Sequence, residues 1–397
     1  MFESIDASRT FFREEHVLFR DQVRRFIDAE VTPHHARWER EGVVDRKLWR
    51  KAGAAGLLCP SLDARHGGPG GDFLHSVIVS EELGRAGTNG PGFSIHSDMV
   101  APYFERFGTE AQQRRWLPGF VSGEVVGAVA MTEPDAGSDL RGMRTRATRV
   151  DGGWSLSGQK VFISNGQLAD LIVVAAKTDA QDRNAITLFI VDATSPGFRR
   201  GRNLEKIGGH AQDTSELFFD DVFVPDDSVL GDVGAGFRQL TFGLVRERLI
   251  AAATCQAKAE GALACTIPYT TGRQVFGKPL SALQNTRFRL AEMSTEVAVG
   301  RAFVDSLLVR FMRGDVDEVL AAMAKLWISE MEGRVVDGCL QLHGGWGYMA
   351  EFRIARAYCA ARVDRIAGGT SEIMKEIIGR AVAGGARPDP DRSADKS

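Results

Sequence analysis

Two glycine-rich breaks lie close together near the C-terminal end of the chain. They are Gln341-Leu-His343-Gly344-Gly345-Trp-Gly347 and Ile366-Ala-Gly368-Gly369-Thr370-Ser371-Glu372. A glycine turn at a helix end leaves backbone N–H groups unpaired and lets an anion approach closely. One such turn often only terminates a helix. Two of them, with Gln341, His343, Thr370 and Ser371 alongside, suggest a pocket for a phosphorylated ligand. Further upstream, Ala130-Met131-Thr132-Glu133-Pro134-Asp135-Ala136-Gly137-Ser138-Asp139-Leu140 sets two hydroxyls around a glycine. Thr132 and Ser138 can offer donors to a ring or phosphates. Equally, Ser138 or Asp139 can cap a short helix, and the motif alone leaves both readings open. A third group, Arg273-Gln-Val-Phe276-Gly277-Lys278 followed by Gln284, supplies a cation, a ring and an amide. An arginine fork suits pyrophosphate and Phe276 can pack on an adenine, while a salt-bridged loop is the plainer account.

One carboxylate stands out. Apolar residues at Phe237, Leu240, Leu244 and Ala251 follow helical spacing, and Glu247 falls on their stripe. A carboxylate on a buried face costs several kcal/mol unless it is paired or neutralised. Burial raises its pKa toward that of a useful base. An ion pair with Arg246, Arg248 or a cation from another domain is the competing reading, and periodicity does not choose between them.

These groups need elements to carry them. The 397 residues suffice for two or three packed domains, and the 44% hydrophobic and 25% charged composition is that of an ordinary globular protein. A net charge of −3 gives no electrostatic reason to expect nucleic acid or an anionic membrane as partner. The longest apolar run, Leu171 to Ala176, is too short to span a bilayer. The opening MFESIDASRTFFREE has neither a signal-peptide nor a transit-peptide pattern. Five scattered cysteines without metal-ligand spacing read as reduced core residues of a cytoplasmic protein, and no metal is expected.

Residues 10 to 31 place Phe12, Phe19, Val23, Phe26 and Ile27 on one helical face, which Pro33 is expected to end. His34 and His35 then fall in a solvated loop. Residues 65–71 are a glycine loop, and helices follow over 74–84 and 98–107. From Gly127 the texture turns to short strands. Asp151-Gly-Gly153 predicts a hairpin, and further strand-like runs cover 161–164, 171–177, 186–192 and 215–224. These make a compact β barrel or sandwich, closed by Pro225, with 231–236 as linker. Helical patterns over 237–270, 281–313 and 316–342 predict a four-helix bundle. The expected domains are a helical 1–126, a β domain 127–235, a helical bundle 236–385 and a disordered tail 386–397.

The 341–380 segment resembles the C-terminal part of acyl-CoA dehydrogenases, nearest to the long-chain branch. The resemblance runs from about residue 10 to 385. It includes Arg13-Glu-Glu-His16, Gly92-Phe93-Ser94-Ile95-His96-Ser97, the 130–140 signature, Phe162-Ile163-Ser164-Asn165-Gly166, Arg301-Ala-Phe-Val-Asp305, Met323-Ala-Lys325 and Gly368–Arg380. It implies a fold of N-terminal helical domain, middle β-barrel domain and C-terminal four-helix bundle, with FAD as cofactor. Flavin contacts carry over to Val129, Met131, Thr132, Gly137, Ser138, Phe162, Ile163, Ser164, Thr370, Ser371 and Glu372. Arg273, Phe276, Gln284, Gln341, Gly344 and Gly345 carry over as further FAD contacts, and the Arg273 segment of the family reaches the FAD of a neighbouring chain. A homo-oligomer, usually a tetramer, is therefore implied.

Most relatives carry the catalytic glutamate where this chain has Gly368. In the isovaleryl- and long-chain-specific branches it sits instead in a Glu-Arg-Leu context, reproduced by Glu247-Arg248-Leu249. The resemblance thus implies Glu247 as the base that removes the α-proton of an acyl-CoA thioester. The backbone N–H of Gly368 would serve as a donor to the thioester oxygen. Substrate contacts carry over to Ser138, Arg238, Val245, Arg246, Arg248, Gly368 and Gly369, although relatives often have an aromatic at Arg238. The implied reaction forms a trans-2-enoyl thioester, with electrons going to an electron-transferring flavoprotein. Rival readings are an acyl carrier protein-bound, branched or short substrate, a flavin oxidase or monooxygenase, and a non-catalytic flavoprotein.

Overall fold

The computed structural model describes residues 9–88, 90–179 and 181–384, and the tail expected from residue 386 lies outside them. Helix α1 (Glu14–Phe26) carries Glu14 and Glu15 in its first turn and Arg24 and Arg25 in its last, which complements the helix dipole. It does not stop at Pro33. A π turn over Ile27–Val31 leads into α2 (Thr32–Glu41), and Pro33 occupies the first turn of α2. There a missing N–H costs no hydrogen bond, so the chain continues as helix. His34 and His35 therefore sit in α2 and not in a solvated loop, and His35 is buried. Helices α3 (Arg46–Ala54), α4 (Phe73–Ala86), α5 (Ala101–Phe107) and α6 (Glu110–Ser122) complete the first region. Asp72 caps α4 by accepting from the Leu74 N–H, and Gly87 ends it in the left-handed conformation.

The middle region is one eight-stranded sheet built from β1 (Gly127–Ala130), β2 (Arg146–Val150), β3 (Gly153–Ser164), β4 (Leu171–Lys177), β5 (Ile186–Asp192), β6 (Phe198–Asn203), β7 (Thr214–Pro225) and β8 (Val229–Leu230). Its order is β6-β7-β3-β2-β4-β5-β8, with β1 added parallel to β4. The expected hairpin joins β2 to β3 at Gly152, whose φ of +72° suits the turn. Strand β4 is buried on both faces, and its alternation assigns them. Ile172, Val174 and Ala176 enter a core made by the sheet alone, with Trp154, Phe189 and Leu217. Leu171, Val173 and Ala175 face Tyr103, Phe104 and Phe120 of the helical region. The curled sheet is thus clamped to the first helices through one face.

The expected helix over 237–270 is two helices. Helix α7 (Gly236–Phe242) and α8 (Leu244–Gly272) meet at Gly243. Helices α9 (Gln284–Phe311), α10 (Glu318–His343), α11 (Arg353–Ala361) and α12 (Ser371–Val382) follow. Arg248 pairs with Glu318 at 3.2 Å, and Tyr269 Oη donates to the His343 carbonyl at 3.1 Å. Starts meet starts and ends meet ends, so α8 and α10 run parallel. Helix α9 runs against α10, since Glu296 meets Arg334 and Met293 meets Cys339. Val297, Val304, Ile328, Met331 and Val335 form the bundle core, joined by Phe73, Leu74 and Val77 of α4. Buried charges lock α4 to the bundle: Arg301 reaches Glu81 at 2.6 Å and Glu260 at 2.8 Å. No helix among the described residues is long and apolar enough to cross a membrane.

Candidate active site

Glu247 lies in the first turn of α8, immediately after the break at Gly243. The two arginines that flank it are engaged elsewhere. Arg246 reaches back to Asp98 at 2.8 Å and to the Ser61 and Ser76 hydroxyls, and Arg248 pairs with Glu318. Neither neutralises Glu247. Its Oε1 accepts a hydrogen bond from the hydroxyl of Tyr103, on α5, at 3.4 Å. The residue is half-buried, yet protein crowds the carboxyl closely enough that burial drives its pKa up to about 7. The Tyr103 hydroxyl and the Arg248 charge oppose that rise without cancelling it. A methyl group placed on Gly243 would lie 2.6 Å from Oε1, so the glycine makes room for the carboxylate.

A cavity of about 470 Å³ lies beside this position, within the size range of small-ligand sites. It is lined by the apolar Leu62, Ala101, Pro102, Phe242, Val245 and Phe311 and by the charged Arg65, Glu105, Arg106 and Arg246. Two of the expected substrate contacts, Val245 and Arg246, thus line it. Arg238 is exposed on α7 and does not, and Arg248 faces α10.

The Gly368–Gly369 turn is held near the start of α10 by Lys325, whose Nζ donates to the Gly369 carbonyl at 2.5 Å. Both glycines have positive φ, +66° and +94°, which only glycine adopts freely. Thr370 caps α12 by accepting from the Ile373 N–H, and the Ser371 hydroxyl donates to Glu330 at 2.7 Å. Glu372 is exposed in the first turn. The turn therefore belongs to the Glu247 end of the bundle.

On the β side, the Val161 N–H donates to the Thr132 carbonyl at 2.9 Å, which sets Val129, Met131 and Thr132 next to the Phe162 segment. Phe162 is held at φ +60° in an irregular stretch of β3 between Lys160 and Ile163, and the residue is 64% exposed. An aromatic in left-handed backbone with its face outward is a strained arrangement of the kind found at ligand sites. Ser164 lies beyond the buried Ile163. Gly137 and Ser138 are exposed at the tip of the preceding turn.

Arg273, Phe276, Gln284, Gln341, Gly344 and Gly345 form a separate group. Phe276 tips the small hairpin Gln274–Val275/Lys278–Pro279 and is 92% exposed. Helix α8 has 29 residues and so spans about 43 Å, and this group lies at its far end from Glu247. Within one chain the two glycine-rich breaks are thus kept apart and do not make a single pocket.

The glycines fit an extended phosphorylated cofactor. At Gly137, Gly345, Gly344 and Gly368 a Cβ would meet no protein atom within 4 Å, so packing explains none of them. Gly344 and Gly368 have positive φ, but Gly137 and Gly345 do not. Those two need glycine neither for packing nor for backbone reasons, and they leave room for close approach by a ligand. Two groups of possible metal ligands occur among the described residues, Glu15–His16–His75 and Cys255–Glu332–Asp364. His16 and His75 complete helix capping boxes, and Lys258 already pairs with Asp364 at 2.6 Å.

Sequence reasoning did not find Tyr103, Asp98 or a role for Lys325. Tyr103 reads as one more aromatic of a helical face, and Lys325 stood inside a family-like motif with nothing to mark its partner.

Family models for the N-terminal, middle and C-terminal domains of acyl-CoA dehydrogenases match residues 13–124, 128–222 and 234–383. The chain is 47% identical over 377 residues to the mitochondrial long-chain specific acyl-CoA dehydrogenase of Sus scrofa, covering 94% of this chain and 88% of that one. The crystal structure of an acyl-CoA dehydrogenase from Geobacillus kaustophilus superposes with a TM-score of 0.92 at 47% identity, covering 94% of this chain and 99% of that one. A Mycobacterium smegmatis glutaryl-CoA dehydrogenase in complex with FADH2 superposes with a TM-score of 0.90 at 29% identity, covering 96% and 97%. With all three domains matched in order, the chain belongs to the acyl-CoA dehydrogenase family of FAD-dependent oxidoreductases.

Proposed function

We propose that the protein dehydrogenates a long-chain acyl-CoA at Cα–Cβ, with Glu247 as the catalytic base. The observation that carries this is a carboxyl without an ion-pair partner, lifted to about pH 7 by burial, beside a cavity of mixed apolar and charged lining. A base poised near the working pH is effective because it is ionised and still basic. Glu247 takes the pro-R or pro-S hydrogen of Cα, whichever faces α8, as a proton. Tyr103 holds one carboxyl oxygen and leaves the other free for that transfer. The Gly368 N–H donates to the thioester oxygen, where enolate charge develops as the proton leaves. Bound FAD supplies the acceptor for the hydride leaving Cβ. Phe162, Thr132, Ser138 and Ser164 would hold its ring system, and Thr370, Ser371 and Glu372 lie at the adjoining helix start. An electron-transferring flavoprotein is the proposed electron acceptor, in fatty acid β-oxidation.

Long chains are favoured by the 47% identity to the Sus scrofa enzyme. The far-end group supports a homo-oligomer, proposed as a tetramer. Arg273, Phe276, Gln284, Gln341, Gly344 and Gly345 lie too far from Glu247 to serve the same site, and would reach the FAD of a neighbouring chain. A cytoplasmic location is proposed on the five unpaired cysteines.

Anaerobic titration of the FAD-loaded protein with a saturated long-chain acyl-CoA tests the assignment. Wild type should bleach promptly. Glu247→Gln should bind the thioester and lose about 10²–10⁴-fold or more in bleaching rate. A variant that bleaches as fast as wild type removes Glu247 from the mechanism.

A further inference from the structure

Lys325 is 2% exposed, and its ammonium donates to one backbone carbonyl, that of Gly369. The neighbouring ion pairs are complete without it: Lys258 with Asp364, Arg365 with Glu330 and Arg248 with Glu318. Asp364 and Glu330 attract it only from a distance, and a buried cation whose one hydrogen bond goes to a carbonyl is an expensive way to fill space. The segment it contacts explains the choice. Upstream, the Val363–Arg365 turn is anchored by Asp364, and the Ala367 N–H donates to the Val363 carbonyl at 2.9 Å. Downstream, Thr370 and Ser371 are fixed by the α12 cap and Glu330. Between these anchors stand two consecutive left-handed glycines, the residues with the most backbone freedom to lose. Gly369 is backed by the Met374 side chain, whereas Gly368 faces open space.

We infer that Lys325 is a positioning residue of the dehydrogenation. By pinning the Gly369 carbonyl it aims the Gly368 N–H at the thioester oxygen, and it sets a positive charge behind the turn where enolate charge develops. The inference rests on the acyl-CoA reading above. Its effect belongs to the transition state more than to the ground state, because the neutral thioester has little charge to stabilise.

The test compares FAD-loaded wild type, Lys325→Met and Lys325→Arg in two assays. The first is turnover of a saturated long-chain acyl-CoA. The second is binding of a 3-oxoacyl-CoA, which ionises to an enolate and is not dehydrogenated. Lys325→Met should lose about 10–100-fold in kcat with KM changed by less than about 3-fold, less than the loss of a direct oxyanion donor. Its affinity for the enolate of the 3-oxoacyl-CoA should fall in step with kcat, while binding of free CoA stays as in wild type. Lys325→Arg should recover most of both losses. Wild-type values for kcat and enolate binding in Lys325→Met would overturn the inference. So would equal losses in free CoA and enolate binding that arginine does not rescue, which would make the role structural. A wild-type holoprotein that turns over no acyl-CoA would instead sink the underlying reading.

Discussion

Two buried carboxylates in this molecule titrate in opposite directions, and their partners are the cause. Burial pushes Glu81 upward, but Arg301 and Arg9 outweigh it and hold its pKa at about 2. Burial pushes Glu247 upward too, and a phenol with two already-paired arginines cannot outweigh it, so it rests at about 7. The start of α8 favours negative charge at Glu247, which shows how strongly desolvation acts there. In the folded chain this carboxyl binds its proton more tightly than when unfolded. Its contribution to stability is therefore complete below the ordinary carboxylate range and is lost as pH rises through about 7. Glu247→Gln should accordingly be more stable than wild type at pH 8 by about 2 kcal/mol, and nearly equal at pH 4.5, in chemical denaturation. A constant difference across pH would mean the carboxyl is not desolvated. In the wild-type pH profile, kcat/KM should fall on the acid side with an apparent pKa of about 7. Tyr103→Phe removes the hydrogen bond that opposes the rise, and should move that limb to higher pH. An unmoved limb would mean the 3.4 Å contact does not act on the base.

At the scale of the element, the break between α7 and α8 decides where the Glu247 carboxyl points. Gly243 has φ −78° and ψ −13°, which alanine adopts readily. A methyl group there would still press on Glu247 Oε1. Because the obstacle is the tip of a flexible side chain, Gly243→Ala should fold with its thermal midpoint within about 2 °C of wild type. Its carboxylate must move, and kcat should fall about 10-fold or more, since misplacement by about 1 Å is costly to catalysis. Steady-state kinetics beside a thermal melt checks this, and an unchanged kcat would show that the break does not position the base. The irregular stretch of β3 is the matching device on the other wall. It turns Phe162 outward at φ +60° while Val161 and Ile163 stay buried.

At the scale of the molecule, the bundle places Glu247 and Arg273 about 39 Å apart along α8. The hairpin at the far end presents Phe276 almost fully to solvent, and Trp346 and Tyr348 on the turn after α10 are exposed as well. An assembly that seats this end on another chain's flavin would explain why an aromatic is displayed there. Phe276→Asp should then retain FAD less well and dissociate toward the 43.3 kDa chain in light scattering, with little change in secondary structure. A wild type that runs as a 43.3 kDa monomer with stoichiometric FAD would exclude the arrangement.

Much of this was legible in the residues. Periodicities of two and of three to four placed the β region and the long helices, because each strand or helix buries one face and sequence alternation records which. The paired change at Gly368 and Glu247 pointed to the proposed base, because family motifs are local strings. The dead-end reading of Pro33 failed because a proline costs nothing in a first turn, and only the chain's path shows where a turn begins. Periodicity could not decide whether Glu247 was the ion-pair partner of Arg246 or Arg248. That depended on Arg246 reaching Asp98 and Arg248 reaching Glu318, contacts 148 and 70 residues away in sequence. Nor could it separate two glycine turns that lie close in sequence and at opposite ends of a bundle. Local pattern reports which face is buried, whereas the partner of a charge and the far end of a helix are set by tertiary packing alone.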